Sequence, residues 1–312
     1  MKRNITIRSA FLGAAILAPV LSVPTSAYAV FSVDFGDFGS PAPSVLTQNG
    51  DAALTGGVLR LTPDQQHKSG SAFLNIPFDL DTTTSFSSHF QFRIHGQGAG
   101  TGAGADGLVF IVQNDPRGTA ALGRDGSGLG YGNVGFGGPP IVNSVGIAFD
   151  TYPFQQAHQG NIEMLENGEI SFPAAQSLQD FDFASGEALN AWVDYSGATD
   201  LLRVYLSKSS VKPTSPLLST TVAIDNIVGS RAFFGFSGAT GDAVNIQDIN
   251  NWALSYSQSP VPEPSPAVAF GIIGTLSSAF MAMRKIRANR RSRNVTRPCS
   301  SSASGVPPAL PV

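Results

Sequence analysis

Residues 144–154 read SVGIAFDTYPF, a row of apolar and small residues that ends at a single carboxylate, Asp150. The pattern is typical of a strand running into a loop. The carboxylate at its end has two interpretations. It is either a metal ligand or part of an ordinary strand-end turn, in which the side chain accepts backbone N–H groups.

The chain on both sides of this stretch also has the patterning of β-structure. Residues 89–95 (HFQFRIH) alternate between polar and apolar, and residues 59–62 and 202–206 do the same, as expected of strands lying over a core. Residues 108–112 are continuously apolar, which predicts a strand buried on both faces. No stretch of the body keeps a helical period for three turns without Gly or Pro. Residues 30–257 therefore predict one all-β domain, a large sandwich or barrel.

The first 29 residues have the three parts of a secretory signal peptide. Lys2, Arg3 and Arg8 precede an apolar run, and small residues lead up to Ala29. The sequence therefore predicts an exported protein whose mature chain begins near Val30.

The other end of the chain predicts a membrane anchor. Residues 258–265 form a Pro-rich linker, and the 18 uncharged residues 266–283 that follow would make a helix roughly 27 Å long, just short of a bilayer core of about 30 Å. The basic tail, 284–312, is then expected in the cytoplasm. The motif VPEPS (261–265), the apolar segment and the arginine cluster together resemble the PEP-CTERM sorting signal of bacterial exported proteins. That resemblance implies an exosortase-type processing enzyme as a partner, although the tail continues beyond Arg293, where such signals normally stop.

Charge and cysteine usage exclude several classes of partner. Residues 30–265 keep nine of the 19 Lys and Arg and all 22 Asp and Glu, a net charge of −13, so the body would repel nucleic acid and anionic lipid. The one cysteine, Cys299, lies in the tail. The body is therefore expected to fold without a disulfide or a thiolate metal site.

Seven strings in order carry a resemblance over residues 34–256: GDAALTGGVLRLT, SSHFQFRI, ADGLVFIVQ, SVGIAFDTY, AWVDYSGATDLLRVYL, FFGFSGATG and NWALSY. In this order and spacing the chain is similar to the legume-type (L-type) lectins. The resemblance implies a concanavalin-like jelly-roll β-sandwich whose loops bind calcium, a second metal and a monosaccharide.

The resemblance also implies which residues contact sugar. An Asp after a cis non-proline peptide accepts bonds from sugar hydroxyls, backbone amides of the next glycine-rich loop contact the sugar, an aromatic ring stacks on it, and the turn at 238–242 tunes the choice of sugar. The carbohydrate-binding positions implied in this chain are Asp106, Gly126, Gly128, Tyr152, Phe154, Gly241 and Asp242.

The implied metal site is incomplete. Lectins of this type begin their metal loop with Glu-x-Asp-x-aromatic-x-Asn, and here Ala148 replaces the Glu and Phe154 replaces the Asn. Residues 155–161 contain no Asp or Glu, and His158 stands short of the spacing expected of the histidine ligand. Asp150 and the Tyr152 carbonyl remain as metal ligands, which is few for calcium, the implied cofactor.

Catalysis has weak support in the sequence. A retaining glycoside hydrolase on this scaffold would present two carboxylates from one strand, and no E-x-D-x-x-E string occurs. Glu163, Glu166 and Glu169 predict a solvated hairpin around the Asn167-Gly168 turn. The glycine-rich segments 96–104 and 123–140 lack the Lys-Ser/Thr pair of a phosphate loop.

These observations favour an exported bacterial lectin-like protein that binds surface or matrix polysaccharide without chemistry. We expect it to be membrane-anchored until it is processed, and then to reside at the cell surface or outside the cell. One alternative is a structural matrix protein whose lectin site no longer binds, motivated by Ala148 and Phe154. A glycoside hydrolase of concanavalin-like fold is a second alternative.

Overall fold

The computed structural model describes residues 29–39, 44–96, 104–152, 160–177 and 180–258, which belong to one compact unit, Ala27–Pro260. Residues 1–28 of the predicted signal peptide, Phe154, His158, the predicted anchor at 266–283 and the basic tail lie outside the described residues. Within the described ranges, no helix has the length and apolar character needed to cross a membrane.

The described residues form sixteen strands and one short helix. The strands are β1 Ala29–Phe35, β2 Leu46–Gly50, β3 Ala53–Thr55, β4 Val58–Thr62, β5 Ser69–Leu74, β6 Phe78–Asp79, β7 Thr84–His95, β8 Gly107–Gln113, β9 Ser144–Asp150, β10 Asn161–Glu166, β11 Glu169–Ser177, β12 Ala188–Ser196, β13 Leu201–Ser207, β14 Leu218–Thr221, β15 Arg231–Ala239 and β16 Ile246–Gln258. The helix, α1, is Ile224–Val228, and 3-10 turns occur at Gly118–Ala120 and Gly126–Gly128.

The strands pair into two eight-stranded antiparallel sheets. Sheet A has the order β14-β13-β12-β7-β16-β4-β3, with β1 paired to β16. Sheet B has the order β11-β10-β9-β8-β15-β5-β2, with β6 paired to β15. Several neighbouring strands are far apart in sequence, among them β7 with β12 and β16, and β15 with β8 and β5, as in a jelly roll. The predicted all-β sandwich is confirmed.

Aromatic side chains fill the space between the sheets. On β7 the inward residues are buried and the alternate ones are not, so the alternation predicted for residues 89–95 is confirmed. Phe90 of β7 contacts Phe236 of sheet B edge to face, with ring centroids 4.9 Å apart, and Trp252 contacts Phe236 at the same distance. Each such pair adds about 1 kcal/mol to the effect of burial.

The outer face of sheet B is covered as well. Strand β8 is buried along its whole length, as its apolar run predicted. Its inward residues join the inter-sheet core, whereas Val109 and Ile111 face the other way. They pack with Leu129 and Tyr131 of the glycine-rich segment and with Ile141 directly after it. This segment is therefore a folded cover over sheet B.

A buried ion pair, which we call the loop clamp, fastens the ends of that cover. Asp115 follows β8, is 4% exposed, and accepts hydrogen bonds from the Arg117 Nε and Nη2 atoms at 2.7 and 2.9 Å and from the Val142 N–H at 2.9 Å. Arg117 also donates to the carbonyls of Leu122 and Pro140. Burial alone would raise the pKa of Asp115, but the bonds from Arg117 and Val142 hold that pKa below its ordinary value.

Candidate carbohydrate-binding site

Asp106 lies at the start of β8, at the opposite end of that strand from the loop clamp. The Ala105–Asp106 peptide bond is cis, as the resemblance implied. The Asp106 backbone N–H donates to the Ala239 carbonyl, and its own carbonyl accepts from the Thr151 N–H at 2.9 Å. The carboxylate is 7% exposed, and its Oδ2 atom has no hydrogen-bond partner. A buried acceptor is thus left open to a ligand.

This carboxylate faces a cavity of about 580 Å³. Five residues implied by the lectin resemblance line it together: Asp106, Gly126, Tyr152, Gly241 and Asp242. Gly128 is buried, and its N–H donates to the Asp125 carbonyl inside the loop. Phe154 lies outside the described residues. The cavity thus gathers residues from four separate parts of the chain.

Two glycines let the loops approach Asp106 closely. Gly126 has a φ of +56°, a conformation that favours glycine. A Cβ atom on Gly241 would lie 3.2 Å from Asp106 Oδ2 and 3.3 Å from the Gly126 Cα. Side chains at these positions would narrow the space beside the carboxylate.

His67 and Asp125 also line the cavity, and the sequence did not point to them. The His67 Nδ1 atom lies 3.3 Å from Asp125 Oδ2, and its Nε2 atom lies 3.4 Å from Asp242 Oδ1. His67 thereby connects three loops. One polar residue among several between β4 and β5 carries no signal for this role, because the contact depends on how the loops meet in space.

Two exposed aromatic rings flank the cavity. The Phe136 side chain is 76% exposed and that of Tyr152 is 46% exposed. The Phe136 N–H donates to Asp125 Oδ1 at 2.6 Å, and the Phe136 ring meets the His67 ring edge to face at 6.2 Å. Phe136 was missed, although an aromatic residue between glycines, as in GFGG at 135–138, is a usable signal.

Behind the cavity lies a group of buried carboxylates, Asp106, Asp150 and Glu163, which we call the acidic cluster. Burial raises the pKa of Asp106 to about 7, and the nearby charge of Asp150 adds to this rise. Burial also raises the pKa of Asp150 to about 7, although its hydrogen bond from the Tyr152 N–H opposes the shift. Glu163, whose pKa burial and the Asp150 charge raise to about 8, is the unexpected member.

The hairpin predicted around Asn167-Gly168 is confirmed, since both turn residues have positive φ, +53° and +75°. The solvated environment predicted for Glu163 is wrong, because this side chain is only 2% exposed. Its strand lies between β9 and β11 in sheet B. Glu163 lies opposite Ala148, which is buried in the cluster that the glycine-rich segment joins. The spacing of three residues between the glutamates carries no information about whether another segment buries this face.

Asp150 serves the strand-end turn and remains available to a cation. Its Oδ1 atom accepts the Tyr152 N–H at 2.7 Å, which places the Tyr152 ring at the cavity. Among the described residues no group of three or more His, Cys, Asp or Glu side chains is arranged to hold a metal. However, the unpartnered buried atoms near Asp150 include an oxygen of Asn161 and one of Glu163. Oxygen donors of this kind fit a hard cation such as calcium, and do not favour zinc.

Comparison with known proteins shows the family of this chain. A model of the family described as "Legume lectin domain" matches residues 31–268. The "Probable L-type lectin-domain containing receptor kinase S.7" of Arabidopsis thaliana is 32% identical over 235 residues, covering 68% of this chain and 33% of the plant protein. The match therefore spans about a third of that relative's length.

Solved lectin structures share the fold. Basic winged bean lectin with Tn-antigen has a TM-score of 0.60 at 25% identity, covering 74% of this chain and 100% of the lectin. Winged bean acidic lectin complexed with methyl-α-D-galactose has the same TM-score, identity and coverage. With a family match over residues 31–268 and the cavity built around Asp106, this chain belongs to the legume lectin family.

Proposed function

We propose that this chain binds carbohydrate in the cavity around Asp106, without catalysis. The observation that carries the proposal is the buried Asp106 carboxylate, whose Oδ2 atom has no partner and which lines a cavity flanked by two exposed rings. Sugar hydroxyls can donate hydrogen bonds to such a carboxylate, and the C–H face of a pyranose packs on an aromatic ring. The cavity volume suits a small ligand such as a mono- or disaccharide.

The first sugar to test is a galactoside. The winged bean acidic lectin is described with methyl-α-D-galactose, and that protein is 25% identical to this chain. Methyl α-D-galactoside is therefore the probe for calorimetry, followed by an array of polysaccharides and oligosaccharides to define the preferred class.

The decisive variant is Asp106→Asn, which keeps the shape of the side chain and removes its charge. We expect sugar affinity to fall by about 10- to 100-fold, because a hydrogen bond to a charged group contributes about 1.5–3 kcal/mol. Asp34→Asn is the matched control, since Asp34 is an exposed carboxylate on sheet A. Equal loss of affinity in both variants, or no sugar binding by the folded wild-type protein, would overturn the proposal.

The absence of catalysis has its own test. Among the described residues, three carboxylates line the cavity. Asp125 and Asp242 each lie beside His67, whereas Asp106 has a buried, unpartnered oxygen. Hydrolysis of a glycoside needs two carboxylates that can reach the scissile bond. We expect no new reducing ends when the protein is incubated with oligosaccharides that it binds.

A structural matrix protein is the second candidate function. It is favoured by Ala148, whose side chain is fully buried in the small cluster under the glycine-rich cover, where the lectin pattern has a metal ligand. A folded protein that binds neither sugar nor cation would support it.

Export and processing complete the proposal. The signal-like residues 1–29 and the VPEPS motif with its apolar and basic segments support an exported, exosortase-processed bacterial protein. We expect the secreted form to begin near Val30 and to lack the basic tail. Mass spectrometry of the cell-surface and extracellular fractions tests both ends.

A further inference from the structure

Three oxygen-bearing side chains share one face of the β9–β10 pair. Asn161 lies directly opposite Asp150, and Glu163 lies directly opposite Ala148. Residues directly opposite each other on antiparallel strands project to the same face, with Cβ atoms about 5 Å apart. The Glu163 side chain therefore starts beside the methyl group of Ala148, two residues along the strand from Asn161.

The two carboxylates are buried and Asn161 is partly buried, and the polar atoms of this group are incompletely paired. Glu163 is 2% exposed and Asp150 is 7% exposed. The Asn161 Nδ2 atom donates to Glu163 Oε1 at 3.3 Å, which leaves Glu163 Oε2 and Asn161 Oδ1 without any partner. Among the ion pairs of the described residues, none includes Asp150 or Glu163. Two buried carboxylates thus face each other's charge with no cationic group to balance it.

A proton shared between Asp150 and Glu163 would explain how two carboxylates can be buried together. It would not explain the unpartnered amide oxygen of Asn161. Carboxyl groups that share a proton are joined by a hydrogen bond, and no such bond between Asp150 and Glu163 occurs in the described part of the chain. The unpartnered Asn161 oxygen accepts and cannot take up a proton. Buried charges that lack a protein partner are commonly balanced by a bound metal ion. A hard divalent cation would pair with both unpartnered oxygens, Asn161 Oδ1 and Glu163 Oε2, and would also balance the charge of Asp150.

We propose that Glu163, with Asp150 and Asn161, binds a divalent cation of the calcium type, and that Glu163 supplies from β10 the carboxylate that β9 lacks at Ala148. Water completes the coordination shell. The cation neutralises the acidic cluster and fixes the turn that leads to Tyr152 at the cavity. Its binding does not depend on whether a sugar binds there.

The first test is cation binding by the full chain after treatment with EDTA and removal of the chelator. Calcium, magnesium and manganese are titrated separately by calorimetry, and thermal unfolding is followed at each concentration. We expect one equivalent of a cation to bind and the melting temperature to rise with its concentration, because a ligand of the native state stabilises it by mass action. Absence of binding and of any shift with all three ions would overturn the proposal.

The variant Glu163→Gln separates ligation from packing. We expect its cation affinity to fall at least about tenfold. In EDTA it should melt at or above the temperature of the wild type, because an unbalanced buried charge has been removed. Glu166→Gln, on the same strand and half-buried, is the control and should match the wild type with and without cation. Unchanged affinity in Glu163→Gln, or a lower melting temperature in EDTA, would contradict the assignment.

A transposed variant tests the cross-strand geometry. Glu163→Ala combined with Ala148→Glu returns the carboxylate to β9 at the position directly opposite. We expect it to bind cation more tightly than Glu163→Ala alone. No recovery in a variant that folds as well as Glu163→Ala would show that the carboxylate at 163 is not acting as a ligand in this space.

Discussion

The two ends of strand β8 carry buried carboxylates in opposite electrostatic situations. At one end Asp115, in the loop clamp, is 4% exposed and is surrounded by the guanidinium of Arg117 and the Val142 N–H. At the other end Asp106, in the acidic cluster, is 7% exposed and keeps an unpartnered oxygen. The pKa of Asp115 is lowered, whereas that of Asp106 is raised to about 7.

The exposed fractions of the two side chains are similar, 4% and 7%, so surface exposure does not distinguish them, although burial is the main cause of the raised pKa of Asp106. The difference is the presence of a counter-charge within the chain. A buried carboxylate whose charge and hydrogen bonds are satisfied within the chain contributes to the stability of the fold. One that the chain leaves unsatisfied is costly to the fold, and we propose a ligand for each: sugar hydroxyls for Asp106 and a cation for Asp150 and Glu163.

The largest expected effect comes from breaking the clamp. Arg117→Met leaves Asp115 buried without its partner, and we expect the free energy of unfolding to fall by about 3 kcal/mol. The value is at the low end for buried pairs because the Arg117 side chain is 30% exposed. Urea denaturation measures the change.

Two further variants control for this result. Asp115→Asn combined with Arg117→Met should lose less stability than Arg117→Met alone, because no buried charge is then unpaired. Lys208→Met breaks the exposed pair with Glu187, whose side chains are 57% and 56% exposed, and should cost under about 1 kcal/mol. Equal losses of unfolding free energy in Lys208→Met and Arg117→Met would mean that the loop clamp stabilises the fold no more than an exposed ion pair does.

Asp115→Asn alone should cost about 2 kcal/mol at pH 7, and the cost should depend on pH. The folded pKa of Asp115 is below its ordinary value of 3.8, so its stabilisation is present above about pH 4 and is lost as the pH falls through the folded pKa. Urea denaturation of the wild type and the variant should therefore give a difference that narrows towards pH 3. A difference that stays constant with pH would assign the loss to shape and not to charge.

The same substitution in the acidic cluster should have the opposite sign. In EDTA at pH 8, Asp150→Asn removes a buried charge near Glu163, and we expect the free energy of unfolding to rise by about 1 kcal/mol. The Asn oxygen can still accept the Tyr152 N–H, so the turn is kept. Thermal unfolding with and without calcium measures the effect, and destabilisation in EDTA would remove the contrast between the two ends of β8.

The sequence predicts most of this fold because its signals are local. Alternation at residues 89–95 and the apolar run at 108–112 each identify one strand, and the order of the motifs identifies the sandwich. Asp106 and Gly241 were placed at the cavity by motif. In each case the neighbouring residues carry the information.

The parts that the sequence did not predict depend on contacts between distant segments. His67 meets Asp125 and Asp242 only because three loops converge. Glu163 looks solvated in the sequence because nothing near it records that the glycine-rich segment covers sheet B. Its relation to Ala148 is a property of strand register, which the two strands acquire only on pairing.

The smallest expected change in stability belongs to Phe136→Ala. This variant tests whether a group at the cavity contributes to ligand affinity and not to the fold. With 76% of the side chain exposed, its loss should leave the free energy of unfolding within about 0.5 kcal/mol of the wild type. Sugar affinity should nevertheless fall about 3- to 10-fold, because a ring stacked on a sugar contributes roughly 1 kcal/mol. Val211→Ala, which removes another exposed apolar side chain, is the control.

Calorimetry with methyl α-D-galactoside, or with the best ligand from the array, measures the affinities of both variants. A group that contributes to the fold changes stability when it is removed, as Arg117 should, whereas a group kept for a ligand changes affinity alone. If Phe136→Ala lowered stability and left affinity unchanged, the ring would belong with the loop clamp as part of the glycine-rich cover. The ligand-binding role would then rest on Asp106 and Tyr152, the residues beside the acidic cluster.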